Sequence, residues 1–262
     1  SLYAISLAAG YVVGPIVAFA FVPLLGKVAS FFAAGAFAVI AALVVLARLS
    51  GDAAAEEESD AANEAKAQLG ALTILKRIRA SCFATFSYGY FQASVVLFLP
   101  LFLIQRGMTE RETYIIPAPF AAGMLVFSNI AARLGDRHGH ITVMRGLGLV
   151  GIAAIFGFLG FRASIPIYVI AFLAGASLAS VSPVSLALQG LVIPTRDLPR
   201  AGGFYNAAYA LGMLVGPPIS GALFQRVGGV AMVMHFAVLW AVFVIATVLW
   251  RRDDPRLSKH AA

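Results

Sequence analysis

The sequence predicts an all-α polytopic membrane protein with eight transmembrane helices: a six-helix bundle plus two helices of an incomplete second bundle. Three observations predict it. Of 262 residues, 61% are hydrophobic and 12% charged. The mean hydropathy is +0.90. Eight long stretches carry no charge at all, and a helix needs ~20 apolar residues to cross a ~30 Å hydrocarbon layer. No soluble domain of this size has such a composition. The runs are continuous rather than alternating, which excludes a transmembrane β-barrel.

The first two runs are Ser1–Gly26 and Val28–Ala47. Residues 1–48 therefore read as two spans. A different segment follows. Ser50–Gln68 holds six acids, one Lys and no large apolar residue. It cannot pack in a membrane and predicts a solvated linker, placed at 49–78. Six further runs follow: Ser81–Gln105, Thr113–Ala132, Gly146–Phe161, Ala163–Thr195, Ala201–Gln225 and Val227–Trp250. The third of these, Gly146–Phe161, is too short. It reaches spanning length if its helix begins near Ile141 and Arg145 snorkels to the headgroups. Residues 79–252 form the predicted six-helix bundle and 253–262 a tail.

The net charge is +7. In a soluble protein that would raise nucleic-acid binding. Here the basic residues set topology instead, and no nucleic-acid partner is expected; the partner is the lipid bilayer. With the C-terminus inside, fourteen of the nineteen Lys and Arg fall on the cytoplasmic side, in 48–79, 133–145, 196–200 and 251–262. Lys27, Arg106, Arg111, Arg162 and Arg226 fall on the other. One cysteine, Cys82, excludes an internal disulfide and a cysteine-based metal site. No metal, cofactor or catalytic group is expected. The absence of an initiator Met, with a hydrophobic helix at residue 1, predicts a truncated chain.

Two short motifs echo each other. Gly10-Tyr-Val-Val-Gly14-Pro15 lies in the first span; Gly212-Met-Leu-Val-Gly216-Pro217 lies in the seventh. A Gly-x-x-x-Gly step clears one helix face for close packing, and the proline that follows bends the chain. The repeat points to a duplicated fold. A third landmark follows the fourth span: Ala132-Arg133-Leu134-Gly135-Asp136-Arg137-His138-Gly139-His140. Its core, Asp136-Arg137-x-Gly139, resembles the Asp-Arg-x-Gly loop of the major facilitator superfamily. The flanks depart from that pattern: Ala132 stands where the family usually has Gly, and His140 and Ile141 where it has Arg or Lys. Gly10, Gly14 and Pro15 look like the family's antiporter motif, although Ala18-Phe19 replaces its Gly-Gly pair.

The resemblance implies that the eight spans are helices five to twelve of a twelve-helix carrier. Four helices would precede Ser1, and the acidic linker would join the two halves. It implies a bacterial inner (plasma) membrane protein with a cytoplasmic C-terminus, a monomer when complete. The Asp136 loop, with Arg133 and Arg137, would then brace one half against the other, close to Ser1–Ser6. The competing reading is a basic, topology-setting loop with an incidental Asp.

Transport needs a polar cavity near the midplane. No acidic residue lies at mid-depth: all twelve Asp and Glu are in loops. Neutral polar residues remain. Thr85, Tyr88 and Gln92 share one face of the third span. Ser182, Ser185 and Gln189 repeat the spacing around Pro183. Tyr205, Asn206 and Tyr209 lie in the seventh span. Thr85, Tyr88, Gln92, Asn206 and Tyr209 are the candidate lining of a small-molecule substrate cavity, open toward the absent helices. Interhelical hydrogen bonding is the competing role, and for the serines the favoured one. Gly146-x-Gly148-x-x-Gly151 spells a dinucleotide motif but lies in a membrane helix, where packing explains it. Ser177 and His235 suggest an intramembrane protease, yet their depths differ by ~10 Å.

The function expected is secondary transport by alternating access, with efflux, possible proton coupling and no enzymatic activity. The alternatives are a metabolite uniporter or importer, or a non-transporting truncated membrane protein.

Overall fold

The computed structural model describes Phe32, residues 35–44 and residues 69–258. The first span, the Gly10/Gly14/Pro15 motif and the acidic stretch Ser50–Gln68 lie outside the described residues. Helices α1 (Gly35–Val44) and α2 (Ala71–Arg77) precede α3 (Arg79–Gln105), α4 (Glu110–Thr113), α5 (Pro117–His138) and α6 (His140–Gly160). Then come α7 (Ser164–Ala174), a π-helical turn (Gly175–Ala179) and α8 (Val181–Val192). Last are α9 (Leu198–Arg226), α10 (Gly229–Leu249) and the short α11 (Pro255–Ser258).

Six helical segments among the described residues are long and apolar enough to cross a membrane: α3, α4–α5, α6, α7–α8, α9 and α10. They coincide with the last six charge-free runs. Helix α5 continues past Ala132 to His138 because a helix need not stop where the lipid does. Helix α6 starts at His140, close to the expected Ile141. Arg145, half-buried near the start of α6, bonds to a neighbouring helix. Its guanidinium donates to the Thr247 carbonyl at 2.9 Å and sits 3.3 Å from Thr247 Oγ1, tying α6 to α10. The fourth of these spans contains a π turn that its residue pattern does not mark. Such turns widen the helix locally and are frequent at functional sites.

Close approach depends on glycine at one seam. A Cβ on Gly212 would lie 2.2 Å from the Phe86 carbonyl oxygen, and one on Gly216 2.6 Å from that of Tyr90. From the other side, a Cβ on Gly89 would lie 2.5 Å from the Tyr209 carbonyl. Helices α3 and α9 therefore touch backbone to backbone. In lipid there is little hydrophobic drive between helices, so such packing carries the association. The main core joins aromatic side chains of α3 and α10: Phe91 and Phe236 rings stand 5.3 Å apart, Trp240 and Phe243 5.2 Å.

Helix α2 falls at the end of the expected linker but is folded onto the spans. Its Ile74, with Ile78 just beyond, is buried against Ile193 and Ala201. Arg200 donates to the Leu69 carbonyl at 3.0 Å across the same contact.

The six spans differ in how far they are buried. In their most apolar windows, 56% of α3 and 61% of α7–α8 are buried, against 22% of α4–α5 and 22% of α9. The exposed positions of α10 are all apolar, and so are those of α6 beyond Thr142. Helices α5 and α9 instead expose the amides Asn129 and Asn206 within their spans.

Candidate functional site

The candidate cavity residues separate into two groups. Gln92 is 6% exposed and Tyr88 5%. Tyr209, from α9, donates its phenolic hydrogen to Gln92 Oε1 at 2.6 Å. The Tyr88 and Tyr209 rings stack with centroids 6.1 Å apart. Tyr88 Oη reaches Met124 Sδ on α5 at 3.9 Å. Helix α9 thus meets Gln92 and α5 meets its neighbour Tyr88, and the Gln92 NH2 finds no partner among the described residues. Gly89 lets α9 approach closely enough for the Tyr209 bond.

Gln92 and Tyr88 also line a cavity of about 50 Å³ between α3, α5, α6 and α7, whose other walls include Phe91, Phe120 and Met124. Its surroundings are apolar, with no charged side chain among its lining residues. The amide NH2 of Gln92 can donate a hydrogen bond within these apolar walls.

Asn206 is not part of this cluster. It precedes Tyr209 by three residues on α9 and is exposed, because α9 turns its Gly212 face to α3. Thr85 is 1% exposed, one helical turn before Tyr88. Around it lies a second polar group. Tyr205 Oη lies 2.8 Å from Ser182 Oγ and 3.1 Å from Ser185 Oγ. Ser81 donates to the Ser185 carbonyl at 2.8 Å. These serines bond across helices, and Ser185 also donates to its own chain at the Ser182 carbonyl. Gln189 is buried. Asn129 was not singled out in the sequence; its signal was an amide inside an otherwise apolar run.

The Asp136 loop has different surroundings. Gly139 stands between α5 and α6 with φ +89, a region L side chains rarely adopt. Asp136, 57% exposed at its side chain, accepts from Arg256 Nη2 at 3.3 Å and lies 3.6 Å from His140 Nε2. The carboxylate that serves the N-terminus of α6 is Asp254. Asp254 is 0% exposed. It accepts from the Ile141 N–H at 3.0 Å and from the Arg256 N–H at 3.0 Å. Asp253 beside it pairs with Arg79 through two contacts of 2.6 and 2.8 Å. Arg133 and Arg137 are exposed. The expected neighbour of Asp136, Ser1–Ser6, lies outside the described residues.

The protease-like residues are occupied elsewhere. Ser177 donates to the Leu173 carbonyl at 2.7 Å. His235 Nε2 lies 3.3 Å from Ser220 Oγ, and its Nδ1 contacts the Met232 carbonyl.

The chain resembles known transporters over part of their length. It is 23% identical over 155 residues to the uncharacterized MFS-type transporter YfkF of Bacillus subtilis (strain 168), covering 59% of this chain and 39% of that protein. An uncharacterized MFS-type transporter of Yersinia pestis (strain Pestoides F) is 25% identical over 174 residues, 66% of this chain and 44% of its own. Multidrug resistance protein 2 of Bacillus subtilis (strain 168) is 26% identical over 174 residues, 63% and 43%. The chain thus spans about two fifths of the length of these relatives. The family model described as Major Facilitator Superfamily matches residues 1–162 and, again, residues 116–262. With six spans of the right length and that match over the whole sequence, the chain is a multi-pass membrane protein that belongs to the Major Facilitator Superfamily.

Proposed function

We propose that this chain is part of a secondary transporter that exports small, largely apolar molecules by alternating access. The observation that carries the reading is the Gln92 amide, held by Tyr209 of α9 at 2.6 Å and lining an apolar cavity between α3, α5, α6 and α7. Family membership supports transport, and the name of one relative, Multidrug resistance protein 2, supports export. Residues 79–252 act as one six-helix half. Residues 1–48 and four further helices form the other. The exposed amides Asn129 and Asn206 favour α5 and α9 as the surface that this other half covers, since an amide facing lipid lacks partners. The linker 49–78, the Asp136 loop and the C-terminus lie in the cytoplasm of a bacterial cell, and Asp136 with Arg133, Arg137 and Gly139 braces the halves on that side. If transport is proton-coupled, the carboxylate comes from outside this chain, whose described acids all lie at or near span ends.

Transport kinetics of the full-length protein test the reading. Gln92→Ala is expected to raise the substrate KM by about tenfold, the loss of one well-placed hydrogen bond to a buried amide, with membrane insertion unchanged. Wild-type kinetics in that variant would remove Gln92 from the site. A substrate gradient that drives uptake and never export would favour the importer.

A further inference from the structure

The end of the spans opposite Asp136 holds a cationic cavity that the transport reading leaves unused. Arg106 and Arg162 line it together with Gln105, Phe102 and the first residues of α10, Gly229 and Val230; its volume is about 380 Å³. Arg106 is fixed in place. Its Nη1 donates to the Phe158 carbonyl, in the last turn of α6, at 2.9 Å. Its guanidinium also lies 5.3 Å from the centre of the Phe102 ring. Arg162 follows α6 by two residues and is exposed. Among the described residues neither arginine has a carboxylate partner. Burial, and then the neighbouring Arg162 charge, hold the Arg106 pKa below its ordinary value. Two like charges set together without a counter-charge are costly. An anion between them reverses that cost.

Two further features favour an anion with a lipid attached. Helix α10 begins at the cavity with no side chain capping its first N–H groups, which adds positive potential there. From the same end run two exposed apolar stripes, Leu97, Leu101 and Ile104 on α3 and Val230, Met234 and Val238 on α10. A headgroup at the arginines would lay its acyl chains along them.

We propose that Arg106 and Arg162 bind a phosphate oxyanion, with the phosphodiester of an anionic phospholipid as the source this surface fits and a soluble phosphate monoester as the alternative. Arginine forks match phosphate oxygens in pairs, which a lysine cannot do. The proposal stands independently of the transported substrate.

Native mass spectrometry of the delipidated full-length protein in an uncharged detergent tests it. Phosphatidylglycerol, phosphatidylcholine and sn-glycerol 3-phosphate are the probes. Phosphatidylglycerol is expected to bind more tightly than phosphatidylcholine, and each arginine removed should weaken it about fivefold. Arg106→Gln also loses the bond to Phe158 and can disturb folding. Arg162→Gln breaks no hydrogen bond and carries the test alone if needed. Arg111→Gln, on α4 at the same end but outside the cavity, should leave binding unchanged. If glycerol 3-phosphate binds with the same arginine dependence and the two lipids bind alike, the site belongs to a soluble phosphate. Equal binding of both lipids by wild type and Arg162→Gln, with no glycerol 3-phosphate bound, overturns the proposal.

Discussion

The two ends of the spans are held by different chemistry. At the Asp136 end, contacts between residues far apart in sequence tie the chain after α10 back to α3, α5 and α6. Asp253 takes Arg79, Asp254 takes the start of α6, and Arg256 takes Asp136. At the Arg106 end the ties are more local. Thr109 and Glu112 cap α4 reciprocally, and Glu112 accepts from Ser164 at 2.5 Å. Arg106 and Arg162 there meet no described carboxylate. The Asp136 end is stitched by charged groups paired across the sequence, while at the other end Arg106 and Arg162 have no described counter-charge.

The largest effect expected to break this contrast is at Asp254. Replacing it with Ala leaves the Ile141 and Arg256 N–H groups without their acceptor. Bonds to a buried charged group are worth about 1.5–3 kcal/mol, so Asp254→Ala should lower stability by about 2–3 kcal/mol. Arg162→Gln at the other end should stay within about 0.5 kcal/mol of wild type, as exposed substitutions usually do. Thermal unfolding of the full-length variants in detergent compares them. Equal losses would mean the ends are held alike.

A matched pair of glycines sharpens the point. Gly139 has φ +89 and Gly228 φ +112, so an alanine is strained at both. Around Gly228 nothing lies within 4 Å of a new Cβ, whereas at Gly139 the Leu257 side chain lies at 3.0 Å and Asp254 Oδ2 at 3.2 Å. Backbone strain of this kind costs about 1–3 kcal/mol. Gly228→Ala should show that cost alone and Gly139→Ala more, because Leu257 and Asp254 must also move. If the order of the two melting temperatures is reversed, the Asp136 end is looser than its contacts imply.

How much of this was legible in the sequence follows from the range of each interaction. Spans were legible because burial in lipid is a local property of ~20 residues, and Ser81–Gln105 falls within two residues of α3. The Gly212/Gly216 face was legible as a small-residue step, though its partner on α3 was not. Tyr88 and Gln92 could be placed on one helix face from spacing alone. That Tyr209 and not Asn206 would meet Gln92 depends on how α9 is rotated, which no local pattern encodes. Asp254 was invisible as an α6 cap because 113 residues separate it from Ile141. The Asp-Arg-x-Gly pattern drew attention to Asp136, while the buried carboxylate beside that loop sits in the tail. Nor did any local signal mark the π turn at Gly175–Ala179.

A small stability effect is expected at Asp136 itself, and it separates holding the fold from moving the carrier. Its side chain is 57% exposed and its contact with Arg256 is 3.3 Å, so the pair belongs to the class worth about 0–1 kcal/mol. Asp136→Asn and Arg256→Gln should each shift unfolding little, and the coupling in a double-mutant cycle should fade as salt rises. Transport is expected to respond more strongly. If Asp136 braces the two halves in one conformation, losing its charge shifts the balance between conformations, and coupling of the usual 1–3 kcal/mol would change the transport rate about tenfold. A rate that falls while the melting temperature holds assigns Asp136 to the conformational switch. An Asp136→Asn variant that transports normally, or one whose loss of transport merely tracks a loss of folded protein, leaves the loop as an end-cap of α5 and moves the brace to Asp254 and the tail that carries it.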